Sequence, residues 1–300
     1  MKKIYAIIVT YNALHKRWID RCLNSLQEST IEIEPIIIDN GSTDGTREYI
    51  PLHYPNAIWL PQNENLGFGK ANNIGMRYAI DHHATHVLLL NQDAAISNDA
   101  IELMLKESDG ESLISPLHLN GDGSGFDHNF QKYSLPQKEI AKDVLIKNSL
   151  SNIYITGEIC AACWFMPVSI INRIGGFNPA FPQYGEDNNY YHRLAYHGIK
   201  TILVPKAKMF HDRQCQGDIK TFNNKRLRRT LAVIAYNINL NAKACSKEMF
   251  GQIMSCYRKD FLHGRYLPGR CSFEIIKLLL NMSSIRDSRK KEKTLTNNWL

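Results

Sequence analysis

Three acids and one histidine, far apart in the chain, have the types and settings to do chemistry. Asp39 ends the run IEPIIID, Asp93 ends HVLLLNQD, Asp187 lies in GEDNNYYHR and His211 lies in KMFHD. The first two follow apolar runs of β type. In an open α/β sheet, ligands bind outside the carboxyl ends of the strands. Asp39 and Asp93 are therefore expected to face one crevice. Carboxylates with an imidazole suit a hard or borderline divalent cation. A cation at such a crevice would hold phosphate oxygens.

Those residues need a scaffold, and hydrophobic periodicity outlines one. Buried strands are expected at 4–9, 33–38, 57–60, 85–90 and 201–204, the last stopped by Pro205. Helical spacing covers 15–28, 68–80 and 187–197. Ser42 or Thr43 is expected to cap a helix running through residue 49, and Ser97 to open one to 106. Residues 166–176 read as a strand end and a helix terminated by Gly175-Gly176. Strands alternating with helices predict a parallel sheet with right-handed crossovers. The stretch 118–133, rich in Gly, Asp and Asn, reads as a mobile loop. After Gly217 the periodicity is helical.

Composition narrows the class. The 300 residues carry 44% hydrophobic and 22% charged side chains, ordinary for a globular protein. MKKIYAIIVTYN has a basic start, but its apolar run is too short for a signal peptide. The stretch 153–171 is broken by Glu158 and Pro167 and reads as buried interior rather than a membrane span. Seven cysteines, at 22, 160, 163, 215, 245, 256 and 271, form no disulfide framework. The Cys160/Cys163 pair lacks the second pair a zinc site needs, so buried thiols in a reducing cytoplasm are expected.

Charge is uneven. Residues 217–300 hold 17 Lys+Arg against 6 Asp+Glu, or +11, and residues 1–216 hold 19 against 23, or −4; together they give the net +7. A basic tail suggests an anionic surface, membrane or nucleic acid, and equally a solvated helical face. No nucleic-acid-binding motif supports the second partner.

VTYN, DNGSTDGT, NLGFGKANNIGM, LLLNQD, GGFNPAF and GEDNNYYHR occur in this order. Together they resemble the family 2 nucleotide-sugar glycosyltransferases of the GT-A fold, bacterial rhamnosyltransferase-like members above all, over residues 3–215. The resemblance implies a Rossmann-like, mostly parallel sheet flanked by helices. It implies a nucleotide-binding half at 1–95, an acceptor half at 96–216, and a helical basic extension at 217–300. The implied reaction is inverting transfer of a sugar from a dTDP- or UDP-sugar, rhamnose from dTDP-rhamnose being one candidate, to a surface-polysaccharide or lipid-linked glycan. Mg2+ or Mn2+ would assist by offsetting charge on the departing diphosphate. Two other readings stand beside it, a non-catalytic nucleotide-sugar-binding partner in an assembly and a metal-dependent nucleotidyltransferase.

Site roles follow from the resemblance. Asp93 is expected on the metal, with His211 as second ligand; the alternative pairs His211 with Asp212. The frequent Asp-x-Asp motif is here Asn91-Gln92-Asp93, so Asn91 brings a hydrogen bond to ribose or phosphate and no charge. Asp39 is expected to accept from the N3–H of uracil or thymine, or else to form a turn with the amides of Gly41 or Ser42. Tyr11 is expected to stack on the base, beside Thr10 and Asn12. Gly67 and Gly69 would let backbone approach the nucleotide, and Lys70 and Asn73 would reach phosphate or base. Asp187 is expected to be the general base, with Glu186 orienting the site; the alternative is helix capping. Trp164 would line the sugar or acceptor site, or belong to the core. The basic tail would lie on a membrane surface, at the inner face of the membrane, or pack against the catalytic domain or a second copy in a homodimer.

Overall fold

The structure is a computed structural model and describes residues 2–212, 224–262, 276–278 and 280–300. Nine strands are described: β1 (Ile4–Thr10), β2 (Glu34–Asp39), β3 (Ile58–Trp59), β4 (His86–Leu90), β5 (Ala94–Ile96), β6 (Leu113–Asn120), β7 (Tyr154–Thr156), β8 (Cys163–Pro167) and β9 (Thr201–His211). They form one sheet in the order β3-β2-β1-β4-β8-β6-β9-β5, with β7 also on β9. The first four strands in this order are mutually parallel. β8 then runs antiparallel between β4 and β6, so the sheet is mixed rather than purely parallel.

Continuous apolar runs make the central strands. Every residue of β4, HVLLL, is buried, as a strand covered on both faces requires. On one face lies α1 (Trp18–Gln27), whose Ile19, Cys22, Leu23 and Leu26 recur at helical spacing and are all buried. On the other lies α3 (Phe68–Asp81), through Ala71, Met76 and Ala79. Parallel pairing of β1, β2 and β4 brings the ends Thr10, Asp39 and Leu90 to one edge of the sheet.

Several boundaries differ from expectation. The helix after β2, α2 (Thr46–His53), starts behind Gly45 and has no side-chain cap. Ser42 turns its hydroxyl back onto Asp39 at 2.5 Å, and Thr43 gives its amide to Asn12. Similarly α4 (Ala100–Lys106) begins after Asp99, and Ser97 bonds the Asp99 carboxylate instead of capping the helix. Pro205 does not end β9. The strand runs on to His211, and the β6 register shifts between Pro116 and Leu117 to absorb the irregularity.

Within the stretch 118–133 only residues 121–127 form a loop. His118 belongs to β6, and residues 128–133 form α5 (His128–Tyr133), with Asp127 accepting from the amides of Asn129 and Phe130 at its start. His118 and Phe130 are fully buried and stack at 4.7 Å. α6 (Gln137–Lys142) and a π-helical turn, Asp143–Lys147, lead to β7. As expected, 153–171 is largely interior, and α7 (Val168–Ile174) ends at Gly175.

α8 (Glu186–Tyr196) precedes β9. Beyond it come α9 (Asn224–Tyr236), α10 (Ala242–Leu262) and α11 (Met282–Glu292). Arg289 of α11 donates to the carbonyls of Ala235, Asn237 and Leu240 around the end of α9. Glu292 accepts from Asn178 and from Asn189 of α8. The described tail therefore packs against Asn178 and α8, one of the arrangements the sequence left open. No helix among the described residues is long and apolar enough to cross a membrane. Cys22, Cys163 and Cys256 are buried, Cys160 and Cys245 half-buried, and none of the five is in a disulfide. Cys215 and Cys271 lie outside the described residues.

Candidate active site

Sheet topology builds the acid–imidazole pair. β5 follows Asp93 directly and pairs antiparallel with β9, matching Ala94 to His211. The Asp212 amide donates to the Asp93 carbonyl at 2.8 Å, which closes the junction. His211 Nε2 then stands 3.2 Å from Asp93 Oδ1, although 118 residues separate the two. On its other side, His211 Nδ1 lies 3.4 Å from Oδ2 of the buried Asp127. Asp127 has divided its carboxylate: Oδ1 caps α5 and Oδ2 faces the ring. Asp212 turns away to Arg21 at 2.6 Å, so it is not the partner of His211.

This donor set fits a divalent cation. A ligating imidazole ordinarily has its second nitrogen held by a carboxylate, which fixes tautomer and orientation. Asp127 holds Nδ1 and leaves Nε2 toward Asp93, whose side chain remains a quarter exposed. Among the described residues, no group of three or more His, Cys, Asp and Glu is placed to hold a metal ion by itself. Two protein donors suit a cation whose other positions are filled by water and phosphate oxygens.

Asp93 opens onto a cleft of about 1170 Å³, also lined by Tyr11, Asn91, Glu186 and Asp187. Residues 93 and 187 thus share one cavity. Tyr11 is 46% exposed, and Gln92 grips its backbone from both sides, accepting from its N–H at 2.8 Å and donating to its C=O at 3.2 Å. Gln92 was not singled out in the sequence, although it sits inside the quoted LLLNQD motif. Gly185, at φ 97°, turns the chain into α8 and sets Glu186 and Asp187 in its first turn. Burial and the adjacent Asp187 push Glu186 up to about 8. Burial, with Asp187 again, pushes Glu158 up to about 7. Burial and the neighbouring carboxylate thus favour the protonated form of Glu186.

Other expected contacts lie elsewhere. Asp39 is fully buried and does not line the cleft; Asn40 does. The Asp39 carboxylate accepts from the Ser42 amide and hydroxyl and from Thr10 Oγ1, with Arg47 at 3.4 Å. That is the turn-forming alternative, with Thr10 equally buried. Asn12 ties the same loop together, its amide donating to Ser42 and its Oδ1 accepting from Thr43. Asn73 clamps Phe177, donating to its carbonyl at 2.9 Å and accepting from its amide at 2.7 Å. Lys70 is exposed on α3 and outside the cleft lining.

The glycines serve packing rather than open approach. Gly67 does border the cleft, but a Cβ there would fall on the Pro182 carbonyl oxygen, and one at Gly69 would come 2.9 Å from Phe177 Cβ. Trp164 is a core residue, 1% exposed, stacked with Phe177 and Tyr190 and donating to the Ile159 carbonyl. The tail adds what sequence reading missed. Arg228, Arg229 and Lys277 line the cleft, and Arg229 stacks over Tyr184 at 4.1 Å. Their only signal was the basic excess after residue 217.

Known proteins agree with this architecture. The structure of GalNAc-T7 with UDP, GalNAc and Mn2+ superposes with a TM-score of 0.66 at 15% identity, over the whole of this chain and 56% of that one. The chain thus spans little over half of that neighbour's length. TarS 1–349 of S. aureus in complex with UDP gives 0.55 at 15%, over 97% of this chain and 88% of that one. The shared fold is GT-A, the fold of glycosyltransferases. In sequence, the N-acetylglucosaminyl-diphospho-decaprenol L-rhamnosyltransferase of Mycobacterium tuberculosis is 26% identical over 222 residues, 64% of this chain and 71% of that one. The dTDP-rhamnosyl transferase RfbF of Shigella flexneri is 25% identical over 213 residues, 69% and 68% of the two. The model of Glycosyl transferase family 2 matches residues 5–175, more than half of the chain, and the chain belongs to that family.

Proposed function

We propose that this glycosyltransferase moves a sugar from a nucleotide-sugar to a hydroxyl of a lipid-linked glycan, inverting the anomeric carbon. The observation that carries the reading is one cleft lined by both Asp93, with His211 buried 3.2 Å behind its carboxylate, and Asp187. Asp187 takes the proton of the acceptor hydroxyl as its oxygen attacks the anomeric carbon. The bond from that carbon to the phosphate oxygen breaks on the opposite face, and a nucleoside diphosphate leaves. Asp93 and His211 would hold Mg2+ or Mn2+, which offsets the negative charge growing on the diphosphate. Arg228, Arg229 and Lys277 add positive charge to the same cleft. Tyr11 and Asn40, at the ends of β1 and β2, border the base end. Protonated Glu186 stands beside Asp187 as a neutral hydrogen-bond donor.

The relatives named for rhamnosyl transfer support rhamnose from dTDP-rhamnose as donor. The diphospho-decaprenol in one name supports a polyprenyl-diphosphate-linked acceptor. A thermal-shift series with dTDP-, UDP- and GDP-sugars and Mn2+ tests the donor, because ligand bound to the folded form raises its stability. dTDP-rhamnose should give the largest shift, and Asp187→Asn should keep that shift while losing nucleoside diphosphate release. Loss of the shift in the variant would make Asp187 a structural acid, and turnover unchanged in it would overturn the mechanism.

A further inference from the structure

We propose that the segment around the π-helical turn, residues 143–155, is a docking surface for an anionic lipid bilayer. Its polarity is inside out. Asp143 and Tyr154 are its only buried residues, and they bond each other at 2.8 Å. Asp143 also accepts from Ser151 Oγ at 2.5 Å and pairs with Lys147 at 2.7 Å, and the Ser151 amide donates to Tyr154 OH. With its polar groups satisfied internally, the segment turns six apolar side chains outward. Leu145 is 79% exposed, Ile146 73% and Ile155 63%, and Val144, Leu150 and Ile153 are exposed as well. Six exposed apolar side chains within the thirteen residues 143–155 favour a contact role for the segment.

Charge selects the occupant. Residues 131–156 hold Lys132, Lys138, Lys142 and Lys147 against Glu139 and Asp143; Lys147 and Asp143 pair with each other, leaving three lysines to one glutamate. Lys206 joins them, donating to Asn152 at 3.3 Å. Apolar side chains framed by lysines are the pattern of an interfacial anchor, the apolar groups entering the acyl boundary and the amines meeting lipid phosphates. The segment leaves the cleft wall at Asn129 and returns to it at Cys160, so a docked surface would hold the cleft beside the bilayer. The proposal rests on the lipid-linked acceptor argued above, for which such proximity is useful.

The test is sedimentation of the full chain with vesicles of phosphatidylcholine, with and without phosphatidylglycerol. The chain should pellet with the mixed vesicles, more weakly with pure phosphatidylcholine, and less as salt is added. Leu145→Asp/Ile146→Asp should lower the bound fraction by about tenfold or more, with melting temperature and nucleotide shift unchanged. Lys138→Glu/Lys142→Glu should lose mainly the phosphatidylglycerol-dependent part. No pelleting of the parent chain, or undiminished pelleting of Leu145→Asp/Ile146→Asp, overturns the proposal. So does a dimer in ultracentrifugation that Leu145→Asp/Ile146→Asp abolishes without vesicle binding by the parent, which would assign the surface to a second copy. The readout needs no sugar transfer, so failure of the proposed reaction would leave it standing or falling by itself.

Discussion

Asp127 illustrates how one carboxylate can serve two tasks. Asp127→Asn keeps an Oδ1 acceptor for the start of α5, because Asn caps helices about as well as Asp. It replaces the negative oxygen facing His211 with an amide. The variant should therefore melt near the parent temperature yet bind Mn2+ in the presence of nucleotide about tenfold more weakly, as read by titration calorimetry. Unchanged affinity would separate Asp127 from the cation. Glu186 gives a pH signature. Its pKa is raised from an ordinary 4.5 to about 8 in the folded chain, so folded protein binds more protons than unfolded between those values. Stability then falls as pH rises through that window, the contribution being complete below about 4.5 and gone above about 8. Glu186→Gln should melt progressively higher than the parent from pH 5 to pH 8, and a constant difference would contradict the shift. Sequence alone names Asp93, Asp187, Glu186, Asn91, Tyr11 and Gly67 at the cleft, with His211 behind Asp93. It could not tell them from Thr10, Asp39, Asn12 and Asn73, because polar groups that bind ligands also satisfy buried loop amides, and only coordinates show which.

At the scale of elements, α3 shows what its glycines are for. With Gly69 pressed against Phe177, Gly69→Ala must displace that side chain or the helix, and crowding should outweigh the helix propensity gained. Denaturant unfolding should show a loss of about 1–3 kcal/mol; a stabilised variant would mean that Phe177 yields freely. The strands and helices of the first half were legible because apolar periodicity alone defines them. β6 was not, since Pro116 interrupts its apolar run and Gly121, Gly123 and Gly125 follow it closely. The continuation of β9 past Pro205 was hidden for the same reason: proline reads as a stop, while the register shift against β6 removes the need for its missing amide.

Across the whole molecule, the tail is mortised into the catalytic half. Glu292 of α11 satisfies Asn178 and Asn189, and Asn189 lies two residues beyond Asp187. Glu292→Ala leaves two buried amide groups short of an acceptor, which should cost about 2 kcal/mol and lower turnover more than nucleotide affinity. Equal loss of both would indicate general unfolding instead. The basic excess of the tail was visible in composition, but its destinations were not: Arg289 goes to carbonyls, and Arg228, Arg229 and Lys277 go to the cleft. β9 has a consequence of another kind. It pairs with β5, β6 and β7, and its last residue is His211. A chain emerging from the ribosome cannot finish this half until that segment arrives, and the imidazole arrives with it. Completion of the architecture and assembly of the proposed cation site are one event, so an immature or misassembled chain would lack the Asp93–His211 pair.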